Sequence, residues 1–380
     1  MLKLPFVILF TAMTALFWGI YGILLHNGTK QLGDSSIRAF VGVGIAYFLI
    51  AVLVPFGMLS TKTEKGHWTL SGTLLSLFAG SVGALGALGV ILAIAFQGLP
   101  IYVMPIVFGC APVINTLVTS WLNQSFAQIK PLFVFGLVLV ALGAVGVLVN
   151  KPAQVKATVA KSESSVVDES KIEQKGTEIQ SDHGSQKAAN PFAIGAAICL
   201  AVICWGAYGP FLHMGQMRMG GSRLRPFCCV GIAYFFIAVA VPMMILMASP
   251  DNVSLTWQEI SSGMMWSIFA GSAGAIGALG IILAFNFGGK PIFVMPLIFG
   301  FAPVVNTITS TILSGTFGKI SSSFLGSMLV GIAGAVTVLV FAPKAKPHGP
   351  AATIPAVEPK RLSTTGSTTP QPSSAEAANT

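Results

Sequence analysis

The sequence predicts an all-α membrane protein, a polytopic bundle of ten transmembrane helices built as two inverted five-helix repeats. Three observations carry that expectation. Of 380 residues, 54% are hydrophobic and only 9% charged, against about 25% charged in an ordinary soluble domain. Ten stretches, 5–26, 39–59, 73–96, 100–122, 131–149, 192–213, 226–248, 263–287, 291–313 and 323–342, contain no Asp, Glu, Lys or Arg. Nearly all of them reach the roughly 20 residues that a helix needs to cross a bilayer core. Third, the second half of the chain repeats the first. A soluble enzyme or a nucleic-acid-binding protein is excluded as a first reading. The net charge of +9 belongs to loops and tails, where Lys and Arg set membrane topology.

The first stretch resembles a secretory signal, but it is too long for a signal core and lacks a small-x-small cleavage site. It also recurs internally: WGIYGILLH (18–26) matches WGAYGPFLH (205–213). The second span carries VGIAYFLIAV (43–52), matched by VGIAYFFIAV (230–239) at nine of ten positions. The third carries AGSVGALGALGVILA (79–93), matched by AGSAGAIGALGIILA (270–284) at twelve of fifteen. The fourth carries PIYVMPIVFGCAP (100–112), matched by PIFVMPLIFGFAP (291–303) at nine of thirteen. A fifth, Gly-containing span closes each half. Residues 1–150 and 191–343 are therefore read as the two repeats.

Five spans per half is an odd number, so a continuous chain enters the membrane in the opposite sense the second time, as inverted-topology repeats do. With the N-terminus in the cytoplasm, ten Lys and Arg fall in inside segments and five outside. That balance favours both termini inside and an integral, multi-pass protein of the cytoplasmic membrane. The loop after the second span holds Lys62 and Lys65, while its counterpart holds Asp251 and Glu259. Residues 151–190, with balanced charge and many Ser, Gln and Ala, read as a disordered linker. Residues 344–380, rich in Pro, Ser, Thr and Ala, read as a disordered tail.

Candidate chemistry is sparse. The five cysteines all lie in apolar stretches and read as small packing residues. Gly80, Gly83, Gly86 and Gly89 recur every three residues without the order of a dinucleotide loop; they read as a close-packing helix surface. Pro105 and Pro112, with Pro296 and Pro303, lie inside the fourth and ninth spans and are expected to break those helices at matching positions. Interrupted spans of that kind point to a transporter's midplane site. Asn115 and Thr116, with Asn306 and Thr307, follow at once, either lining such a site or bonding between helices. Trp18, Tyr21 and His26, matched by Trp205, Tyr208 and His213, share an arc of about 140° on a helix. They line a cavity, pack helices, or anchor the bilayer interface. Arg38 and Arg225 open the second and seventh spans, either as snorkelling cations or as captors of an anion at a cavity mouth. No metal site and no cofactor is expected.

Ten spans in two inverted fives, Trp-Gly in the first span of each half, and a proline-containing fourth span followed by a short polar turn together resemble the drug/metabolite transporter superfamily. EamA-like carriers are the nearest general match and the sugar-uptake branch the next. The resemblance covers both halves and implies alternating access around a central cavity. The chain departs from the EamA pattern in the turns WLNQSFAQIK (121–130) and LSGTFGKI (313–320), which lack the usual glutamate. The reading is a secondary transporter of a small polar metabolite, with the lipid bilayer and a small-molecule substrate as its partners. The alternatives are a non-transporting receptor or scaffold and a membrane-embedded enzyme.

Overall fold

A computed structural model describes residues 4–61, 64–122, 124–150, 190–248, 255–289, 291–315, 318 and 320–341. The linker, apart from Asn190, and the tail lie outside these residues. The described chain is helical, with α1 (Leu4–Gln31), α2 (Ser36–Ser60), α3 (Leu70–Ala95), α4 (Pro100–Leu122) and α5 (Pro131–Val149) in the first half. The second half holds α6 (Pro191–Arg218), α7 (Leu224–Ala248), α8 (Trp257–Asn286), α9 (Pro291–Leu313) and α10 (Ser322–Val340). Among the described residues, nine helices are long and apolar enough to cross a membrane; in α9 the apolar segment is the shorter Leu297–Leu313. The protein is thus an all-helical membrane protein of the multi-pass kind.

Local sequence sets the helix starts. Ser35 accepts from the Arg38 N–H, Thr69 from Gly72, Asn190 from Ala193 and Ser321 from Phe324. Each satisfies one of the N–H groups that a first turn leaves without a helical partner. Thr256 and Glu259 form a reciprocal capping box at α8, the arrangement that Thr-x-x-Glu encodes.

Pro105 and Pro112 do not break their helix: α4 runs on through both, and α9 is helical past Pro303. Each proline removes one backbone donor, but neighbours on both sides hold the helix. The Pro296 side chain lies outside the described residues. The backbone irregularity falls elsewhere, where no break was expected. Residues Leu49–Leu53 of α2 and Phe236–Ala240 of α7 form π-helical turns. Each is followed by a proline, Pro55 or Pro242, which cannot donate to the carbonyl four residues back. Widening the preceding turn accommodates that loss.

Packing pairs helices across the halves. α1 lies along α8 and α3 along α6; α1 also meets α9 while α4 meets α6; α2 meets α8 while α3 meets α7; α5 pairs with α10. The two sequence halves therefore interlock as one compact unit rather than standing as separate lobes. Small residues allow the close approaches. A Cβ on Gly89 would stand 2.7 Å from the Ala201 nitrogen, and one on Gly80 2.7 Å from the Val230 Cα. The glycine repeat of the third and eighth spans is a packing surface, in keeping with the small-residue interfaces of membrane helices. Outward faces carry Phe6, Phe135, Leu142, Phe192 and Phe269, all exposed, as lipid-facing positions do.

Candidate functional site

Among the described residues, a concavity is lined by both halves of the bundle. It is a cavity of about 700 Å³, counting the space at its mouth, walled by Trp18 and Tyr21 of α1, Tyr47 of α2, Gly83 and Ala87 of α3, and Phe108 and Ala111 of α4. The second half contributes Trp205 and Tyr208 of α6, Tyr234 of α7, Gly274 and Ala278 of α8, and Phe299 of α9. Among the described residues, no charged side chain lines it.

The tryptophans are held at fixed angles. The Trp18 Nε1–H donates to the Gly274 carbonyl at 3.2 Å, and the Trp205 Nε1–H to the Gly83 carbonyl at 3.1 Å. A Cβ on Gly274 would crowd the Tyr47 ring and one on Gly83 the Tyr208 ring, so these two glycines leave room for phenol rings beside the indoles. Gly277 and Gly86, one turn further along, press against the two indole rings, and a Cβ at either would collide with them. Phe108 sits near both indoles, its ring centroid 6.2 Å from that of Trp18 and 6.3 Å from that of Trp205. Phe299 lies 6.3 Å from Trp18 and from Phe108. Tyr47 and Tyr234 stack at 3.9 Å with rings 9° from parallel. The Tyr21 hydroxyl is buried and has no hydrogen-bond partner among the described residues.

Of the residues singled out in the sequence, the structure gathers Trp18, Tyr21, Trp205 and Tyr208 around one cavity. It places the others apart. His26 is half-buried with its Nδ1 unpartnered, and His213 is exposed; neither lines the cavity. The two equivalent imidazoles thus stand in different surroundings. Asn306 is fully buried and donates from Nδ2 to the Pro100 carbonyl at 2.9 Å, pinning α9 to the start of α4. Thr116 donates to the Pro112 carbonyl at 2.9 Å, and Thr307 to the Met328 sulfur at 3.1 Å. Asn115 faces Gly209 of α6. Asn306 and Thr307 thus bond between helices, whereas Thr116 bonds back to its own helix. Sequence reasoning missed Tyr47, Tyr234, Phe108 and Phe299. The signal was present in the repeated VGIAYF and FG segments, but an aromatic in an apolar run looks the same whether it faces lipid or cavity.

Neither Arg38 nor Arg225 lines the cavity. Arg38 begins α2 beside its Ser35 cap. Arg225 belongs to a clasp at the start of α7. The Glu64 carboxylate accepts from the Ser222 hydroxyl and the Arg223 N–H, each at 2.7 Å, and from the Leu224 N–H at 3.2 Å. Its Oε2 also lies 3.7 Å from the Arg225 guanidinium. A carboxylate on the first N–H groups of α7 meets the positive end of that helix. His67 N–H to the Met219 carbonyl and Thr69 Oγ1 to the Arg218 carbonyl complete the join. Arg223 reaches Asn286 at 2.8 Å and lies over the Phe285 ring. Burial lowers its pKa from the ordinary value, with Glu64 acting in the opposite sense. A second polar set joins the α1–α2 turn to the α3–α4 turn: Lys30 pairs with Asp34 and bonds Gln97, which donates to Asp34 at 3.0 Å.

Among the described residues there is no group of three or more His, Cys, Asp or Glu placed to hold a metal ion. The free cysteines are dispersed through the helices. No protein-family model matches the chain, and none of the curated proteins matches it either. The functional reading therefore stands on the geometry alone.

Proposed function

We propose that the protein is a secondary transporter that moves a small organic molecule across the cytoplasmic membrane by alternating access, in the manner of EamA-like drug/metabolite carriers. Its two halves are read as inverted repeats related by a pseudo-two-fold axis in the membrane plane. One observation carries the reading. The cavity is walled by matched positions of both halves, Trp18 with Trp205, Tyr21 with Tyr208, Tyr47 with Tyr234, and Phe108 with Phe299. A site shared in this way faces the same chemistry whichever half rocks over it, so one ligand fits an outward-facing and an inward-facing state. The helix pairs that cross between halves, and the two separate loop joins, supply a closure for either end.

The test begins with a thermal-shift screen of the purified protein against metabolites. Any stabilising compound is then followed in proteoliposomes. The proposal expects protein-dependent, saturable flux of that compound, retained when 155–185 and 348–380 are deleted. Stabilisation by a ligand that never crosses the membrane would overturn transport. Loss of flux on deletion of the two segments, with binding intact, would favour a role for those segments instead.

A further inference from the structure

Matched positions of the two halves do not all stand in matched surroundings. At the cavity the correspondence is close, since Trp18 and Trp205 bond to Gly274 and Gly83 at 3.2 and 3.1 Å. Toward the helix ends it fails. Asn306 is fully buried and holds the Pro100 carbonyl at 2.9 Å, which fastens α9 to the start of α4. Its counterpart Asn115 is half-buried and makes no hydrogen bond among the described residues, although Pro291 opens α9 as Pro100 opens α4. The neighbours differ in the same sense. A Cβ on Gly22 would meet Met104 at 2.5 Å and Asn306 at 3.2 Å, whereas one on Gly209 would meet only Asn115. Met104 and Leu25 are fully buried, while their counterparts Met295 and Leu212 are half-buried. His26 is half-buried and His213 exposed.

Each of these pairs is the same residue type in both halves, so residue type does not explain the difference; conformation does. In a carrier built from inverted repeats, one half rocks against the other around a fixed site, and opposite-facing states exchange the conformations of the halves. We infer that Asn306–Pro100 and Asn115–Pro291 are two exchangeable latches between α4 and α9, the first closed in this structure and the second open. The closed latch seals the cavity toward the end where Lys30 meets Gln97. The open one frees the start of α9 from α4 at the opposite end. The Glu64 clasp at that end joins the loop before α3 to the start of α7 and does not hold α9. The inference rests on the alternating-access reading proposed above and adds the bond that tells the two states apart.

The test is amide hydrogen exchange, read by mass spectrometry on the full-length protein in lipid nanodiscs without ligand. Residues 209–218, at the unlatched end, should exchange faster than 22–31. Exchange at a closed end proceeds through the minor state in which that end is open. Asn306→Ala weakens the closed latch and should speed exchange at 22–31 by about fivefold, the equilibrium shift carried by one hydrogen bond. Asn115→Ala removes no bond present in this structure, yet it weakens the latch of the minor state and should slow exchange at 22–31 by about fivefold. With both latches weakened, the double variant should return to the wild-type rate. Melting temperature checks that each variant is folded, and should Asn306→Ala fail, Asn115→Ala decides alone. A purely local role for Asn306 leaves the double variant as fast as Asn306→Ala, and that overturns the inference. So does an Asn115→Ala protein that exchanges at 22–31 like wild type, or a wild-type protein in which 22–31 exchanges as fast as 209–218. Opposed effects of the two substitutions without flux of any stabilising compound would overturn transport and leave the latches standing. Flux without those opposed effects would do the reverse.

Discussion

At the scale of single residues, glycines opposite aromatic rings make the sharpest claims. Gly86 and Gly277 each leave the space that an indole fills. Gly86→Ala and Gly277→Ala must push Trp205 or Trp18 out of place, and overpacking of this sort costs about 1–3 kcal/mol. The melting temperature of either variant should fall and ligand binding should weaken. Gly109→Ala is the control, because a Cβ there meets nothing within 4 Å. In a helix it should be neutral or stabilise by about 0.5–1 kcal/mol. If all three melt alike, the indoles are not wedged as described. Asn306 makes a second residue-scale claim. Its Nδ2 bond to Pro100 is structural, so Asn306→Ala should lower the melting temperature by an amount equivalent to about 1 kcal/mol. Ligand affinity in the folded fraction should hold.

At the scale of elements, the π turns and the Glu64 clasp are the points where the bundle departs from plain helix packing. Pro55→Ala with Pro242→Ala restores two donors and lets both turns revert to α geometry. This rotates the downstream part of each helix by about 100°, one residue's worth. The double variant should keep its melting temperature or raise it while losing flux, and unchanged flux would show that the wide turns are incidental. Glu64→Ala removes a carboxylate that serves two backbone N–H groups, a hydroxyl and a guanidinium. Leaving those groups unpaired costs about 1–3 kcal/mol, and Glu64→Gln, which keeps some acceptor capacity, should cost less. Limited proteolysis between residues 218 and 224 should accelerate in the order wild type, Glu64→Gln, Glu64→Ala. Equal rates would mean that the clasp does not hold that loop.

The element scale also shows what was legible beforehand. Absence of charge located the apolar helices, because a Lys or Asp left in lipid is costly, but Leu4–Gln31, Pro191–Arg218 and Trp257–Asn286 each run past their uncharged stretches into polar residues. Repetition in the sequence then paired the Trp and Tyr positions that meet at the cavity. Proline was the misleading signal. Pro105, Pro112 and Pro303 look like breaks in the chain, yet α4 and α9 pass through them, while Pro55 and Pro242 near span ends coincide with the altered turns. Whether a proline bends a helix depends on neighbours that are distant in sequence. The Asn and Thr residues were ambiguous for the same reason. A polar side chain in an apolar run must find a partner, and the run does not say whether that partner is a ligand, another helix or the carbonyl four residues back.

At the scale of the whole molecule, residues of both halves line one cavity, and the proposed transporter works as a single machine around it. Loop contacts fit an alternating path across the membrane, with 64–69 joined to 218–225 and, separately, 30–34 joined to 97. With both termini in the cytoplasm, a cysteine placed before residue 4 and one after residue 345 should resist an impermeant maleimide in intact cells. A cysteine placed at 170 should react. The opposite pattern would invert the topology, and unequal termini would remove the odd-span argument on which inversion rests. The most direct measurement of the central claim is counterflow in proteoliposomes preloaded with a stabilising ligand. The wild-type protein is expected to accumulate labelled ligand against the unlabelled pool, and Trp18→Leu and Trp205→Leu each to abolish the exchange to a similar degree. Binding without counterflow, or loss of exchange from only one of the two tryptophan variants, would contradict a transporter built on a shared cavity.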